Sequence, residues 1–259
     1  MSGSVPPPVI SIVTPTLNAA PFIGACLASV QAQAYAPLEH LIVDGGSQDA
    51  TLAIVRAAPG VCLLERPGTT QTQALNVGLQ QAHGEIVAWL NADDRYAPGA
   101  LQVVGRTFAA EPRLEVVYGD CDVVDLADRP VWREQPGAYS FERLLRRGNY
   151  LAQPAVFVRR RLLERIGYLD EGLDYGMDYD LWLRLKDAET RYVPQVLAVY
   201  RWHPGSKTAR NQLGNWRELL LLVRRYGGGW TPELAWAFAR MLLTVGRSWA
   251  GAALRRPFG

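Results

Sequence analysis

The sequence predicts an α/β fold: a mostly parallel central sheet flanked by helices, a smaller antiparallel portion and a C-terminal helical tail. Three observations carry this. Short apolar runs alternate with amphipathic segments through residues 1–113, which is how a parallel sheet covered on both faces reads. After that the alternation gives way to strand pairs and short helices. From residue 209 onward only helical patterns remain, and the charge changes sign. Residues 201–259 hold ten Lys/Arg and two Asp/Glu, with five of the eight tryptophans, whereas the first 200 residues hold 17 basic and 23 acidic side chains.

In chain order, "VISIVTPT" predicts a buried strand ending at Pro15, and "PFIGACLASVQAQ" a helix with Phe22, Cys26, Leu27 and Val30 on helical spacing. "LEHLIVDGGS" predicts a second strand ending in a Gly-rich turn. "QDATLAIVRAA" predicts a helix with Ser47 or Gln48 near its start, and "VCLLE" a third strand. "TTQTQALNVGLQQA" is helical, "EIVAWL" a fourth strand, and "APGALQVVGRTFAA" a helix started by Pro98. "LEVVYGDCDVVD" and "RPVWRE" predict antiparallel strands, and "SFERLLRR" a short helix. "AVFVRRRLLERIG" runs from strand into helix, stopped by Gly167. "MDYDLWLRLKDA" is a helix, and "TRYVPQVLAVYRWH" predicts two short strands around Pro194.

At 259 residues, 49% hydrophobic and 20% charged, the chain fits one generous α/β domain with an appended tail. Cys26, Cys62 and Cys121 are scattered among apolar neighbours with no CxxC; they read as reduced core thiols of a cytosolic protein. The start "MSGSVPPPVISIV" has no basic region followed by an apolar run, so no secretory leader is expected. No uncharged apolar run reaches the ~18 residues of a spanning helix.

Ligands of open α/β sheets bind beyond the carboxyl ends of the strands. Those ends carry Thr14-Pro15-Thr16 with Asn18, then Asp44-Gly45-Gly46-Ser47, then Glu65-Arg66, then Asn91 to Asp94. Such a rim needs a polar ligand, and its carboxylates suit ribose hydroxyls, base N–H groups or a cation better than a bare phosphate. No GxGxxG follows the first strand and no GxxxxGK[ST] occurs, which argues against a dinucleotide oxidoreductase and a P-loop enzyme. Asp93 and Asp94 are adjacent carboxylates that repel each other. Alone they could cap the helix after Pro98; together they could hold a divalent cation. Arg159-Arg160-Arg161 reads as a solvated helix start. No basic surface is interleaved with aromatics, so nucleic acid is not an expected partner.

"SIVTPTLN", "LIVDGGSQDAT", "ALNVGLQQAHGEIVAWLNADD", "AVFVRRRLLERIGYLDEGLDYGMDYDLWLRL" and "YRWHPGSKT" occur in that order. Together they resemble family 2 inverting glycosyltransferases of the GT-A fold, over roughly residues 9–208. The resemblance implies a GT-A domain over 1–208. Residues 1–113 form its nucleotide-binding half and 114–208 its acceptor and catalytic half; 209–259 is a tail. It implies that Pro15, Thr16 and Asn18 line the nucleotide site, that Asp44 contacts base or ribose, and that Gln73 and Asn76 border the nucleotide. "NADD" stands at the place of the metal-binding DxD motif, so Asn91 meets the ribose and Asp93, with Asp94, binds Mn²⁺ or Mg²⁺ and diphosphate. Asp178 is the implied catalytic base and His203 a further metal ligand. Asn91 carries no charge where the motif begins with Asp, Met177 stands where Glu often precedes the base, and Leu17 stands where Tyr or a polar residue is common. No QxxRW motif is present, which points to one sugar per encounter.

The expected activity is therefore single displacement of one sugar from a nucleotide-sugar donor, UDP favoured and dTDP next, to a glycan or lipid-linked acceptor. A catalytically weak nucleotide-sugar-binding protein and a sugar nucleotidyltransferase are the alternatives; the second lacks the Gly-rich, basic loop such enzymes carry after the first strand. The acceptor is expected to meet residues 130–155. Arg240 and Arg247 share one helical face, with Leu234, Phe238, Leu242, Val245 and Trp249 largely elsewhere. A basic amphipathic helix with Trp suits an anionic membrane surface or a contact with a second subunit. The expected location is the cytoplasm, peripheral at the inner face of the cell membrane. Asp180 lies off the Asp178 face and is expected to pair with a nearby Arg.

Overall fold

A computed structural model describes residues 6–239 and residue 241. The first half alternates β1 (Ile10–Thr16), α1 (Ala20–Gln31), β2 (Leu38–Asp44), α2 (Thr51–Ala57), β3 (Val61–Glu65), α3 (Gln71–Gln81), β4 (Ile86–Trp89), the short β5 (Arg95–Tyr96) and α4 (Ala100–Ala110). The second half holds β6 (Val116–Val124), β7 (Pro130–Glu134), α5 (Phe141–Arg147), β8 (Val156–Arg159), α6 (Arg160–Ile166), α7 (Met177–Arg184) and β9 (Thr190–Arg201). It closes with α8 (Lys207–Arg210) and α9 (Gln212–Arg225); residues 232–239 are also helical.

The strands form one sheet in the order β3-β2-β1-β4-β8-β6-β9-β5, with β7 paired to β6. Neighbours β1–β2, β1–β4, β2–β3 and β6–β9 are parallel, while β8 runs against both β4 and β6. The architecture is the expected mostly parallel sheet with an antiparallel portion.

Strand residues alternate between two cores. Ile10, Ile12 and Ile42 face α1, α2 and α4, whereas Val13, Leu41 and Val43 face α3 and the second-half helices. All six are at most 2% exposed, so both faces of the sheet are dry, as its near-continuous apolar strands require. Helix α3 lies flush on the sheet because residue 78 is glycine: a Cβ there would fall 2.3 Å from Val13 Cγ1. Its start is fixed by a capping box between Thr70 and Gln73.

Several expectations are corrected. β9 is one strand of twelve residues rather than two. Its register against β6 slips opposite Pro194 and Gln195, so the proline is absorbed in a bulge. Helix α2 begins at Thr51: the Ser47 hydroxyl donates to Asp44, and the Thr51 amide donates to Asp49 Oδ1 at 2.9 Å. Helix α4 begins after Gly99 rather than at Pro98. Cys62 is exposed on β3, at the edge of the sheet, while Cys26 and Cys121 are buried. Arg159 is not at a solvated helix start: it is 4% exposed, ion-paired with Glu85 and donates to the carbonyls of Leu114 and Phe108. α9 docks on the core through Leu222 and Val223. The residues expected to continue the last helix, Arg240, Leu242, Val245, Arg247 and Trp249, lie outside the described residues. No helix among the described residues is long and apolar enough to cross a membrane.

Candidate active site

A cavity of about 320 Å³ opens beyond β4. Asn91 and Asp93 from the loop after β4, Gln71 from the start of α3, and Asn149 to Pro154 line it. Asp174, Tyr175, Met177 and Asp178 around the start of α7, Lys207, and Trp132 and Glu134 of β7 also line it.

Asp93 and Asp94 point in different directions. Asp93 lines the cavity, and its Oδ2 lies 3.2 Å from His203 Nε2. Asp94 is fully buried: the amide of Arg201 donates to its Oδ1 at 3.0 Å and Asn91 Nδ2 to its Oδ2 at 3.2 Å. Burial, reinforced by the Asp93 charge, pushes the Asp94 carboxyl well above the usual carboxylate range. So Asp94, expected beside Asp93 as a ligand, is turned inward and braces the turn against the end of β9. His203 is 8% exposed and its ring packs on Phe22 at 5.0 Å.

Asn91 is the centre of a polar relay. It accepts from Gln71 Nε2 at 2.9 Å and donates to Gln153 Oε1 at 3.1 Å, and Gln153 in turn donates to the carbonyl of Trp89 at 2.7 Å. Lys207 Nζ reaches Gln71 Oε1 at 3.3 Å and pairs with Asp174 at 2.6 Å.

Asp178 lines the same cavity as Asp93. Asn149 Nδ2 donates to its Oδ2 at 2.9 Å and the Tyr179 amide to its Oδ1 at 2.7 Å. Burial outweighs these two bonds and lifts its pKa from 3.8 to about 6. The dipole of α7 favours the charged form near its N-terminus, but desolvation dominates and leaves a carboxylate whose pKa is close to neutral. Asp180, two residues on, is buried, held by Arg184 at 2.9 Å and by the Tyr226 hydroxyl at 2.9 Å, the expected pairing. α7 also stacks Trp182 on Trp89 at the end of β4, with ring centroids 5.7 Å apart and planes 13° from parallel.

The remaining expected nucleotide residues lie outside this cavity wall. Pro15 and Thr16 are buried at the end of β1. Asn18 takes a left-handed backbone, φ 50°, and its Oδ1 accepts from the Gln48 amide at 2.8 Å. Asp44 is 1% exposed and its carboxylate is spent on its own loop. It accepts from the amides of Gly46 (2.9 Å) and Ser47 (2.8 Å) and from the Ser47 hydroxyl (2.5 Å). The Gly45 amide donates to the Thr16 carbonyl at 2.9 Å, so the loops after β1 and β2 form one continuous rim. Gln73 serves the capping box of α3. Asn76 is buried and clamps residues 169–171, donating to Leu169 O at 2.9 Å and Glu171 Oε1 at 3.0 Å and accepting from the Leu169 amide at 3.0 Å. Gln71, Asn149, Gln153 and Lys207 were not singled out from sequence, because their importance comes from contacts 20 to 136 positions apart.

A family model described as glycosyl transferase family 2 matches residues 11–167. This chain belongs to that family. As a family 2 glycosyltransferase, it is 34% identical over 220 residues to the O-antigen biosynthesis protein RfbC of Myxococcus xanthus, a match covering 79% of this chain and 16% of that much longer protein. Two solved structures share the GT-A fold. Staphylococcus aureus TarS 1–349 in complex with UDP-GlcNAc superposes with a TM-score of 0.66 at 20% identity, covering 86% of this chain and 68% of that one. The mannosyltransferase PcManGT of Pyrobaculum calidifontis, in complex with GDP-Man and Mn²⁺, gives 0.62 at 21% identity, covering 98% and 78%.

Among the described residues no group of three or more His, Cys, Asp or Glu could hold a cation by itself. Asp93 nevertheless suits one, because Mg²⁺-type sites take one or two carboxylates and complete their shell with substrate phosphates and water; His203 Nε2, 3.2 Å from Asp93 Oδ2, stands beside it as a further nitrogen donor.

Proposed function

We propose that this family 2 enzyme is an inverting glycosyltransferase that moves one sugar from a nucleoside-diphosphate sugar to an acceptor hydroxyl by single displacement. One observation carries the reading: a near-neutral carboxylate, Asp178, and the Asp93–His203 pair line or border one cavity at the carboxyl ends of the strands. The acceptor oxygen forms its bond to the anomeric carbon as the bond to the diphosphate oxygen breaks, and the hydroxyl proton passes to Asp178. A single displacement with one base inverts the configuration, whereas retention would need a second, nucleophilic group. Asp93 and His203 would hold Mn²⁺ or Mg²⁺, which when bound offsets the charge gathering on the departing diphosphate. Asn91, Gln71 and Lys207, which line the same cavity, then meet the donor's ribose and phosphates. Pro15, Thr16, Asn18 and Asp44 form the base-binding rim, Asp44 by rigidifying its own loop through the Gly46 and Ser47 amides.

The donor half is residues 1–113 and the acceptor half 114–208, with UDP or dTDP as the favoured nucleotide. A glycan or lipid-linked acceptor fits the O-antigen biosynthesis role of the Myxococcus relative and a place in cell-envelope polysaccharide synthesis. Exposed Leu213, Leu221 and Trp230 and the basic surplus after residue 200 support a cytoplasmic protein resting on an anionic membrane surface; a second copy of the chain is the competing occupant. The test is a thermal-shift panel of UDP-, dTDP- and GDP-sugars with and without Mn²⁺. NMR of the product anomer with the selected donor follows, and retention of configuration would overturn the reading.

A further inference from the structure

The N-terminus of α7 is capped from another element. Glu218, on α9, accepts from three successive backbone amides: Asp174 at 3.1 Å to each oxygen, Tyr175 at 2.8 Å and Gly176 at 2.7 Å, the last two on Oε2. These N–H groups precede the first helical turn, which opens with the Asp180 amide donating to the Gly176 carbonyl at 2.8 Å. They have no partner within α7; that of Gly176, the N-cap residue, is one of the helix's own unpaired N-terminal donors. Bonds from amides to an ionised acceptor are the stronger kind. The fit requires glycine at 176, where a Cβ would fall 2.8 Å from Leu222 Cδ1 and 3.5 Å from Glu218 Oε2. α9 grips α7 a second time through Tyr226 and Arg225, which reach Asp180 Oδ1 at 2.9 and 3.5 Å.

Asp178 sits two residues beyond the capped amides. Asp174, whose own amide is in the cap, lines the cavity and holds Lys207. We propose that Glu218 is a positioning residue for sugar transfer: it fixes the backbone frame from which Asp178 faces the acceptor and Asp174 orients Lys207, and so makes α9 part of the catalytic half. This rests on Asp178 being the base. Oε2 alone receives all three amides, and Oε1 adds a second bond from Asp174 only. Gln can keep its one oxygen in the Oε2 place but turns an NH₂ toward the Asp174 amide, and Ala leaves the amides to water.

The test uses full-length variants and nucleoside-diphosphate release from the nucleotide sugar selected by the thermal-shift panel. Glu218→Ala is expected to lose about tenfold or more in kcat with KM for the nucleotide sugar within about twofold, and Glu218→Gln to lose less. Formate, a free carboxylate that fits the vacated amides, should restore kcat in Glu218→Ala and not in Asp178→Asn. Val223→Ala is the packing control: it loosens α9 without touching the cap and should lower Tm while keeping kcat. Should Glu218→Ala not fold, Glu218→Gln carries the comparison. Wild-type kcat in the Glu218 variants beside an inactive Asp178→Asn would overturn the positioning role alone. Equal kcat loss in Val223→Ala and Glu218→Ala at equal Tm would reduce the cap to packing. A fully active Asp178→Asn would remove the base assignment and this role with it.

Discussion

Asn149 donates its side-chain amide to Asp178 Oδ2 at 2.9 Å, so the carboxylate facing the cavity is aimed by the segment between α5 and β8 as well as by its own helix. That bond lowers the Asp178 pKa against the effect of burial. Asn149→Ala should therefore raise the pKa further and move the acid limb of the kcat–pH profile to higher pH, with about a tenfold loss of rate at neutral pH. An acid limb that stays in place would show that the bond is incidental.

The two carboxylates of α7 should separate cleanly. Asp178→Asn keeps shape but cannot accept a proton, and should cost ~10²–10⁴ in kcat with nucleotide affinity nearly unchanged. Asp180→Asn weakens the buried contacts with Arg184 and Tyr226; it should cost on the order of 3 kcal/mol of stability while a folded fraction still turns over. Steady-state kinetics beside denaturant titration reads both, and the reverse pattern would move the base to Asp180.

Asp178 also makes a pH prediction about stability. Its folded pKa, about 6, lies above the unfolded value of 3.8, so ionisation opposes folding. The penalty is absent below about pH 4, grows through pH 4–6 and is complete above pH 6. Asp178→Asn should consequently raise the unfolding free energy at pH 7.5, by less than the ~3 kcal/mol that a fully dry site would give, with Tm rising accordingly, and the gain should vanish near pH 4. A Tm difference independent of pH would contradict the shift.

Metal removal should abolish transfer. EDTA treatment is expected to reduce sugar transfer to background and Mn²⁺ or Mg²⁺ to restore it, while His203→Ala and Asp93→Asn should raise the metal concentration needed for half-activation. Full activity after exhaustive chelation would dismiss the cation.

For the membrane claim, the full chain should float with liposomes containing anionic lipid and release at high salt. Replacing Leu213 and Trp230 by Glu should weaken flotation without changing nucleoside-diphosphate release. Sedimentation as a dimer, with no flotation, would favour the second-copy reading.

The strands were legible because their chemistry is local. Ile10, Ile12 and Val13 declare a two-faced buried strand by composition alone, and each helix of the first half follows from spacing. Which of two neighbouring carboxylates enters the cavity was not legible. Asp93 and Asp94 are chemically identical, and only the turn that hands Asp94 to the Arg201 amide, 107 positions away, separates them. The partners of Asn76 were illegible for the same reason: its helix borders the site, but its amide is claimed by Leu169 and Glu171, 93 and 95 positions on. Asp44 could have been read better, since an Asp before Gly-Gly-Ser often bonds its own turn. Glu218 carries no local sign. Its role exists only once α9 returns to α7, and a chain cut at residue 208 would lose it together with Leu222 and Val223.

The stacked pair of Trp89 and Trp182 has a use outside chemistry. One ring belongs to the sheet and the other to the helix bearing Asp178, and their near-parallel overlap at 5.7 Å is close enough for the two indole transitions to couple. The chain thus carries its own optical gauge of how α7 sits on the sheet. A paired circular-dichroism band in the near ultraviolet would rise and fall with that docking, without a label and without knowing which sugar the enzyme handles.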